Sequence, residues 1–219
     1  MKNKGEVPPI VLASASPKRK ELLEMIGLSI IVDPSDCAET KKKGESPLAF
    51  VRRVSLDKAR CVAARHPNSL IIAADTIGAI GRQIFGKAGN VIEARATIQK
   101  LSGRTHLAIT GTTIIDTTKC KEQTFTTQTR VTFRRILPDE LEWFLDSGEW
   151  RGKAACYTLV GKAATFIQKI DGDIGTVLGL SLSQLTRQLR KMGYSMQGLA
   201  SPEYVISNVN SPNVNSPLE

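Results

Sequence analysis

The segment VLASASPKRKELLEMIGL, residues 11–28, predicts a strand that turns directly into a helix. The apolar residues 9–13 are typical of a short buried strand. Ser16 stands where an N-cap belongs, and Pro17 suits the first helical position because its fixed φ and missing N–H cost nothing there. Three basic residues, 18–20, occupy the first helical turn, where the positive end of the helix dipole disfavours cations. We therefore expect an anion to bind at this turn.

Composition and length indicate a soluble globular protein. The chain has 219 residues, 41% of them hydrophobic, which is enough to bury a substantial core. No apolar run approaches the roughly 20 residues that span a bilayer, and the amino terminus lacks the apolar core of a secretory signal. We expect a cytoplasmic location and no membrane partner. The four cysteines are scattered without a CxxC pair, so we interpret them as reduced thiols.

The charge balance is strongly basic and indicates an anionic partner. Thirty Lys and Arg residues against 21 Asp and Glu residues give a formal net charge of +9. This excess suits nucleic acid, an anionic surface or a phosphorylated small molecule. Aromatic residues make up only 5%, which leaves few platforms for base stacking, and no RNA-binding or zinc-finger pattern occurs. A small phosphorylated molecule is therefore the favoured partner, and nucleic acid is not expected.

The order of strands and helices predicts an α/β fold. The patterns give, in order, a strand at 28–34, a helix from 46–47 to about 65, a buried strand at 68–76 that ends in an acid, a glycine-rich hairpin or loop at 77–90, a helix at 91–103, two Thr-rich strands at 104–116 and 122–136, a helix at 138–148, a glycine-marked strand region at 152–179 and a last helix at 181–194. Crossovers and hairpins alternate, so we expect a mixed, twisted sheet with flanking helices.

The carboxyl-terminal segment 197–219 is predicted to be a disordered tail. It contains NVNSP twice in tandem, at 208–212 and 213–217, and has too few apolar residues to pack. Residues 1–196 remain as a single folded domain.

Four charged residues follow the basic turn as candidates for chemistry: Glu39, Lys58, Asp75 and Lys87. Asp75 is the best of them. It follows the apolar run LIIAA, and the carboxyl ends of buried strands are where open α/β sheets bind their ligands.

The remaining charged and polar features have simpler interpretations. His106, in a Thr-rich strand, is predicted to be a partnered core residue, and His66 to lie on a surface loop. The basic runs 41–43 and 52–53 are most simply solvated faces, although the first run follows Glu39 closely enough to bring a cation near a phosphate.

Several motifs in one order resemble the Maf family of nucleoside triphosphate pyrophosphatases, proteins first associated with septum formation. LASASPKRKELL (12–23) resembles the signature LASxSPRRxxLL, and Glu39 resembles the family's acid after the second strand. The further matches are SLDKA (55–59) to xxxKA, IIAADT (71–76) and FGKA (85–88) to ADTxV…GKP, LSGRTHLAITG (101–111) to LSGxxHxVxTG, SGEWRGKAACYTLVGKAATFI (147–167) to SGEWxxKAGxYxIQGxxxxFI, and VLGLSLSQL (177–185) to VxGLPLxxL. The resemblance covers residues 10 to about 192.

The resemblance implies a fold, a reaction and a set of roles. The fold is two-lobed around a central cleft, as in inosine triphosphatases. The reaction is hydrolysis of a (deoxy)nucleoside triphosphate to monophosphate and pyrophosphate by water that a divalent metal, Mg²⁺ or Mn²⁺, activates. The implied roles are catalysis by Asp75, Glu39, Lys58 and Lys87; phosphate binding by Ser14, Ser16, Lys18, Arg19 and Thr76; base recognition by Tyr157 and Val160; and metal binding by Glu39 and Asp75.

Three departures from the family pattern bear on substrate choice and activity. Lys18 stands in place of Arg, Ala88 in place of the Pro of GKP, and Val160 in place of the Gln of YxIQG. That Gln marks the branch resembling dTTP and UTP pyrophosphatases, and Val cannot hydrogen-bond to a base. Tyr157 still favours that branch, and dTTP, UTP or modified nucleotides are the expected substrates. The alternative is a catalytically weak, nucleotide-sensing regulator of cell division. A homodimer is left open.

Overall fold

The computed structural model describes residues 8–200 as a mixed α/β structure. The strands are β1 (Ile10–Leu12), β2 (Ile30–Val32), β3 (Leu70–Ile80), β4 (Gln83–Phe85), β5 (Thr105–Asp116), β6 (Lys121–Phe133) and β7 (Ile167–Asp171). The helices are α1 (Pro17–Met25), α2 (Pro47–Ala63), α3 (Val91–Leu101), α4 (Pro138–Asp146), α5 (Ile174–Leu178), α6 (Leu182–Lys191) and α7 (Met196–Leu199), and two 3₁₀ turns lie at Ala154–Cys156 and Lys162–Phe166. The predicted fold class is confirmed.

All seven strands belong to one sheet, in the order β2-β1-β3-β5-β6-β7, with β4 paired to β3. Strand β1, next to the edge strand β2, pairs parallel with both β2 and β3. Every other pairing is antiparallel. Parallel pairing with β3 ends at Ile72, and β3 continues beyond it. Between Ile72 and Gly78, where pairing with β4 begins, β3 therefore has no strand partner on the side away from β5, which opens a space beside its middle.

The first two helices begin as their Ser-Pro pairs predict. The Ser16 hydroxyl accepts a hydrogen bond from the N–H of Arg19 at 3.4 Å, and the Ser46 hydroxyl accepts one from Ala49 at 3.2 Å. Each cap satisfies a backbone donor that the helix itself leaves unpaired. The cap of α1 fixes the direction in which the basic first turn points.

Core clusters lie at opposite ends of the long strands β5 and β6. At one end Ile114 packs with residues of α1 and α6. At the other end Ala108, Val131 and Phe133 pack with residues of α3 and α4. The two clusters give the molecule two lobes, as the resemblance implied.

Helix α2 covers one face of the sheet and approaches it closely at one point. Gly111 of β5 lies opposite Asp75 in the strand register. A Cβ at Gly111 would collide with the carbonyl oxygen of Val51 in α2. The absence of a side chain at Gly111 therefore brings α2 against the sheet directly beside Asp75.

Three sequence predictions are wrong in detail. Asp75 does not end its strand but lies in the middle of β3, because β3 continues in antiparallel pairs with β5. The region 152–179 contains only one strand, β7, because 3₁₀ turns and the helix α5 occupy most of it. The helix predicted over 181–194 is α6, but it is not the last helix, because the short helix α7 follows it.

The carboxyl-terminal boundary also lies later than predicted. Leu199 is buried and Ala200 forms a β-bridge with Leu28, so the folded part reaches residue 200 rather than 196. The rest of the predicted tail, 201–219, lies outside the described residues. None of the helices within residues 8–200 combines the length and apolar character needed to cross a bilayer.

Candidate active site

A cleft of about 800 Å³ lies between the two lobes, at the point where β1 ends. Ala13 donates a hydrogen bond to the Ile72 carbonyl at 2.8 Å, and the chain then leaves the sheet for α1. The cleft brings together all eleven residues that the sequence singled out, namely Ser14, Ser16, Lys18, Arg19, Glu39, Lys58, Asp75, Thr76, Lys87, Tyr157 and Val160. Carboxyl ends of parallel strands are the usual place for such a site in α/β folds.

Lys58 joins the two predicted metal-binding acids. Its Nζ lies 2.6 Å from Glu39 Oε1 and 2.8 Å from Asp75 Oδ1. The side chains of Lys58 and Asp75 are each 8% exposed, whereas that of Glu39 is 42% exposed. Two carboxylates thus share one ammonium at the floor of the cleft, and only Glu39 extends into open solvent.

The cations around Glu39 set its protonation. Burial by itself would raise the pKa of Glu39, but its hydrogen bond and charge attraction to Lys58, with the charges of Lys87 and Arg19, hold that pKa below its ordinary value. Glu39 is therefore ionised at neutral pH and available to bind a cation.

Three N–H groups of the Arg19 guanidinium donate hydrogen bonds to other residues of the protein. Its Nε donates to the Gly179 carbonyl at 2.9 Å, Nη1 to Ser14 Oγ at 2.9 Å and Nη2 to Thr76 Oγ1 at 3.0 Å. Burial lowers the pKa of Arg19, an effect that the charges of Asp75 and Glu39 oppose. A guanidinium has five N–H donors, so two remain for a ligand. Arg19 thus organises the cleft in addition to offering charge to it.

The start of α1 directs polar groups into the cleft. The N–H of Ser16 donates to Ser14 Oγ at 3.2 Å, which orients the turn before the helix. Lys18 lines the cleft, where it pairs with Glu21, whereas Lys20 pairs with Glu24 and is not part of the lining. Of the three basic residues in this turn, Lys18 and Arg19 are therefore the two that face the expected anion.

Tyr157 lies at the other end of the cleft and is held by His106. Tyr157 Oη and His106 Nε2 are 2.7 Å apart, and both side chains are buried. Burial lowers the pKa of His106 to about 4, so the ring is neutral at physiological pH. Burial also raises the pKa of Tyr157. The prediction that His106 is a partnered core residue is confirmed.

Val160 is 62% exposed at the same end of the cleft. It presents methyl groups there and no hydrogen-bonding group.

His66, predicted to lie on a surface loop, is partly exposed and contacts Asp33 Oδ2 at 2.7 Å.

Sequence reasoning missed two cations of the cleft. Arg151 and Lys153 line it beside Tyr157, within the SGEWRGK motif that the resemblance had already marked. The basic run 41–43 is not part of the lining. In all, six cationic side chains (Lys18, Arg19, Lys58, Lys87, Arg151 and Lys153) face three carboxylates (Glu21, Glu39 and Asp75) in the cleft lining.

The donor set fits a divalent cation that is shared with phosphate. Across residues 8–200 no three His, Cys, Asp or Glu side chains are grouped so that they alone hold a metal ion. Mg²⁺ is commonly held by one or two carboxylates together with substrate phosphates. Glu39 and Asp75 are two carboxylates that could serve in this way, since both lie within 2.8 Å of the same atom, Lys58 Nζ.

Comparison with known proteins gives a consistent result. Residues 9–192 match a family model described as Maf-like protein. A dTTP/UTP pyrophosphatase of Syntrophus aciditrophicus is 40% identical over 184 residues, which cover 84% of this chain and 90% of that protein. A dTTP/UTP pyrophosphatase of Myxococcus xanthus is 38% identical over 192 residues, which cover 88% and 96%.

Among solved structures, the Staphylococcus aureus Ham1 protein matches 93% of this chain and 100% of that chain, with 13% identity and a TM-score of 0.44.

Proposed function

The chain belongs to the Maf-like family, and from this premise we propose that it is an enzyme, a nucleoside triphosphate pyrophosphatase. It hydrolyses its substrate between the α- and β-phosphates to a nucleoside monophosphate and pyrophosphate. The observation that carries the proposal is the pair of carboxylates, Glu39 and Asp75, joined by Lys58 at the floor of a cationic cleft. The names of the relatives, dTTP/UTP pyrophosphatases, support the same reaction.

The triphosphate binds between the start of α1 and the cations of the cleft. A triphosphate carries about four negative charges at neutral pH, and helix N-termini and Lys or Arg side chains are the usual partners of phosphate. Ser14 and Ser16 supply hydroxyl donors, while Lys18, Arg19 and Lys87 supply positive charge. Thr76, predicted to bind phosphate, instead donates its hydroxyl hydrogen to Thr110 and accepts a hydrogen bond from Arg19, which it helps to hold in place. The triphosphate is thus the anion that we expect at the basic first turn of α1.

Hydrolysis needs a base and a way to offset developing charge. The oxygen of water bonds to the α-phosphorus while the bond to the bridging oxygen breaks, and pyrophosphate leaves. Asp75 or Glu39 accepts the proton of the attacking water, and Lys58 lowers the repulsion between these acids and the anionic substrate. Glu39 and Asp75 would hold a divalent cation, Mg²⁺ or Mn²⁺, which would supply positive charge to the phosphate oxygens and lower the pKa of bound water.

The substrates proposed are dTTP, UTP and related or modified nucleotides. The names of the relatives and the buried Tyr157 beside the cleft support pyrimidines. Because Val160 offers only methyl groups, base selection here depends on shape and on the neighbouring polar groups, and we expect it to be relaxed.

The regulator hypothesis is less well supported. A protein that only binds triphosphate has no use for two acids that repel its ligand, whereas a hydrolase needs them. We also propose that the enzyme is cytoplasmic, where its substrates are used, and that its folded residues form one domain.

Product analysis tests the proposed reaction. The purified protein is incubated with a panel of triphosphates and Mg²⁺ or Mn²⁺, and nucleotides and released pyrophosphate are measured. We expect monophosphate and pyrophosphate in equal amounts. Release of orthophosphate and nucleoside diphosphate would contradict the proposal, and triphosphate binding without turnover would favour the regulator.

Asp75→Asn tests the site itself. The amide keeps the size of the side chain but loses its charge and basicity, so we expect kcat to fall by about 10²- to 10⁴-fold. Circular dichroism checks that the variant is folded. Activity near that of the wild type in a folded variant would remove Asp75 from the mechanism.

A further inference from the structure

Helix α2 holds the loop that carries Glu39. This loop, residues 33–46, links β2 to α2. At its start Arg65 Nη2 lies 2.9 Å from Asp33 Oδ1, and near its middle Lys58 meets Glu39. Arg65 lies just beyond α2, and towards the end of the loop a second side chain of α2, Arg53, makes the largest set of contacts.

All three guanidinium nitrogens of Arg53 donate hydrogen bonds to this loop or to its own helix. Nε and Nη2 donate to the two carboxylate oxygens of Glu45 at 2.7 and 2.9 Å. Nη2 also donates to the carbonyl of Thr40 at 3.0 Å, and Nη1 donates to Asp57 at 3.2 Å. The Arg53 side chain is 19% exposed and that of Glu45 is 9% exposed. The sequence analysis predicted that both arginines at 52–53 are solvated. That prediction is wrong for the second of them, because the loop folds back over it.

The Thr40 contact fixes the backbone directly after Glu39. Glu39 is half exposed, and its carboxylate is attached to the floor of the cleft only through Lys58. Ordering a long side chain costs conformational entropy, and that cost is larger when the backbone beneath it is also free to move. A fixed backbone therefore keeps the Glu39 carboxylate near Asp75 before substrate arrives.

We propose that Arg53 is a positioning residue that holds Glu39 in the cleft by fixing the backbone at Thr40. The inference rests on the proposed function. Lysine cannot replace arginine here, since a single ammonium cannot make the bidentate contact to Glu45 while it also donates to the Thr40 carbonyl. The neighbouring Arg52, which is exposed on the same helix, provides a matched control.

Steady-state kinetics of Arg53→Gln, Arg53→Lys and Arg52→Gln give the first test. Misplacing a reacting group by about 1 Å costs up to about a hundredfold, so we expect Arg53→Gln to lower kcat by about ten- to a hundredfold. KM for the triphosphate changes little, because the start of α1 and Lys87 are untouched. Arg53→Lys also stays low, and Arg52→Gln matches the wild type. Wild-type kcat in Arg53→Gln would overturn the inference.

A double variant tests whether Arg53 acts through Glu39. Once Glu39→Gln has removed the carboxylate, adding Arg53→Gln should cause no further loss of kcat. If the two losses multiply, Arg53 acts by another route and the inference is wrong.

Hydrogen exchange supplies a readout that does not depend on turnover. Arg53→Gln should speed exchange of the amides at 39–45 while those of α2 stay protected, and Arg52→Gln should change neither. Unchanged exchange would overturn the inference even if kcat falls. If Arg53→Gln does not fold, as thermal melting would show, Arg53→Lys takes its place.

Failure of the proposed function is a separate outcome. A wild-type protein that hydrolyses no triphosphate refutes the proposed function, and the exchange experiment still tests whether Arg53 fixes the loop.

Discussion

At the scale of single residues, the site depends on charges that balance one another. Lys58 lies between Glu39 and Asp75 at hydrogen-bonding distance from both. Removing one partner of a buried charge pair leaves the other uncompensated, which is strongly unfavourable. The same ammonium offsets the charge of two acids that lie beside the proposed phosphate site. The three side chains therefore work as a unit rather than as separate catalytic groups.

Position 160 provides a test of base recognition at the same scale. Val160→Gln adds an amide at the exposed end of the cleft, where the family pattern places one. One neutral hydrogen bond contributes about 0.5–1.5 kcal/mol, so we expect the ratio of kcat/KM for dTTP to that for ATP to rise by about two- to tenfold. Val160→Leu, which adds bulk without an amide, is the control. Equal ratios in the two variants would show that position 160 does not read the base.

At the scale of helices and strands, local sequence predicted where elements start but not how far they run. The Ser-Pro pairs at 16–17 and 46–47 marked both helix starts because capping is a local interaction. The full length of β3 was missed because pairing with β4 and β5 keeps its last residues, 77–80, extended. Strand β5 is distant in the sequence, and β4 lies in a glycine-rich segment that does not have the pattern of a strand. Tertiary pairing decides such boundaries, and a single sequence does not display it.

The candidate site follows the same rule. Most of the predicted cleft-lining residues were found because they belong to short motifs, although Arg151 and Lys153 were missed within one of those motifs. Arg53 was missed because a pair of arginines on a helix resembles a solvated face, and its burial depends on a loop that folds back from elsewhere in the chain.

The fit between α2 and the sheet makes Gly111 a critical position. In Gly111→Ala the new Cβ pushes against the Val51 carbonyl, and overpacking of this kind costs about 1–3 kcal/mol. We expect the melting temperature to fall by several degrees, at about 2–4 °C for each kcal/mol. The displaced helix also moves Lys58 away from Asp75, so kcat falls as well.

Gly86→Ala is the control for this substitution, because a Cβ there meets no atom within 4 Å. A Gly111→Ala protein as stable as the wild type would mean that α2 moves away at no cost.

At the scale of the whole molecule, the excess of positive charge bears on how substrate is found. The net charge is +9, and six cations line the cleft. A charged cleft raises the local concentration and the association rate of ligands of opposite charge. The surface as a whole therefore assists the cleft in collecting anions.

Ionic strength tests this assistance. The Debye length shrinks from about 10 Å at 0.1 M to about 3 Å at 1 M salt. We expect kcat/KM for a triphosphate to fall by about tenfold over that range, while kcat stays nearly constant because bound substrate is screened less. Sucrose at matched osmolarity controls for general solvent effects. A flat kcat/KM would show that the net charge plays no part in substrate capture.

The hydrogen bond from Arg19 to the Gly179 carbonyl joins residues 160 positions apart. During synthesis the chain emerges from its amino terminus, so the basic turn leaves the ribosome long before the segment that completes its surroundings. A nascent chain therefore has the phosphate-binding turn but not the finished cleft. Activity begins only near the end of translation, and a truncated product that stops before residue 179 lacks a working site.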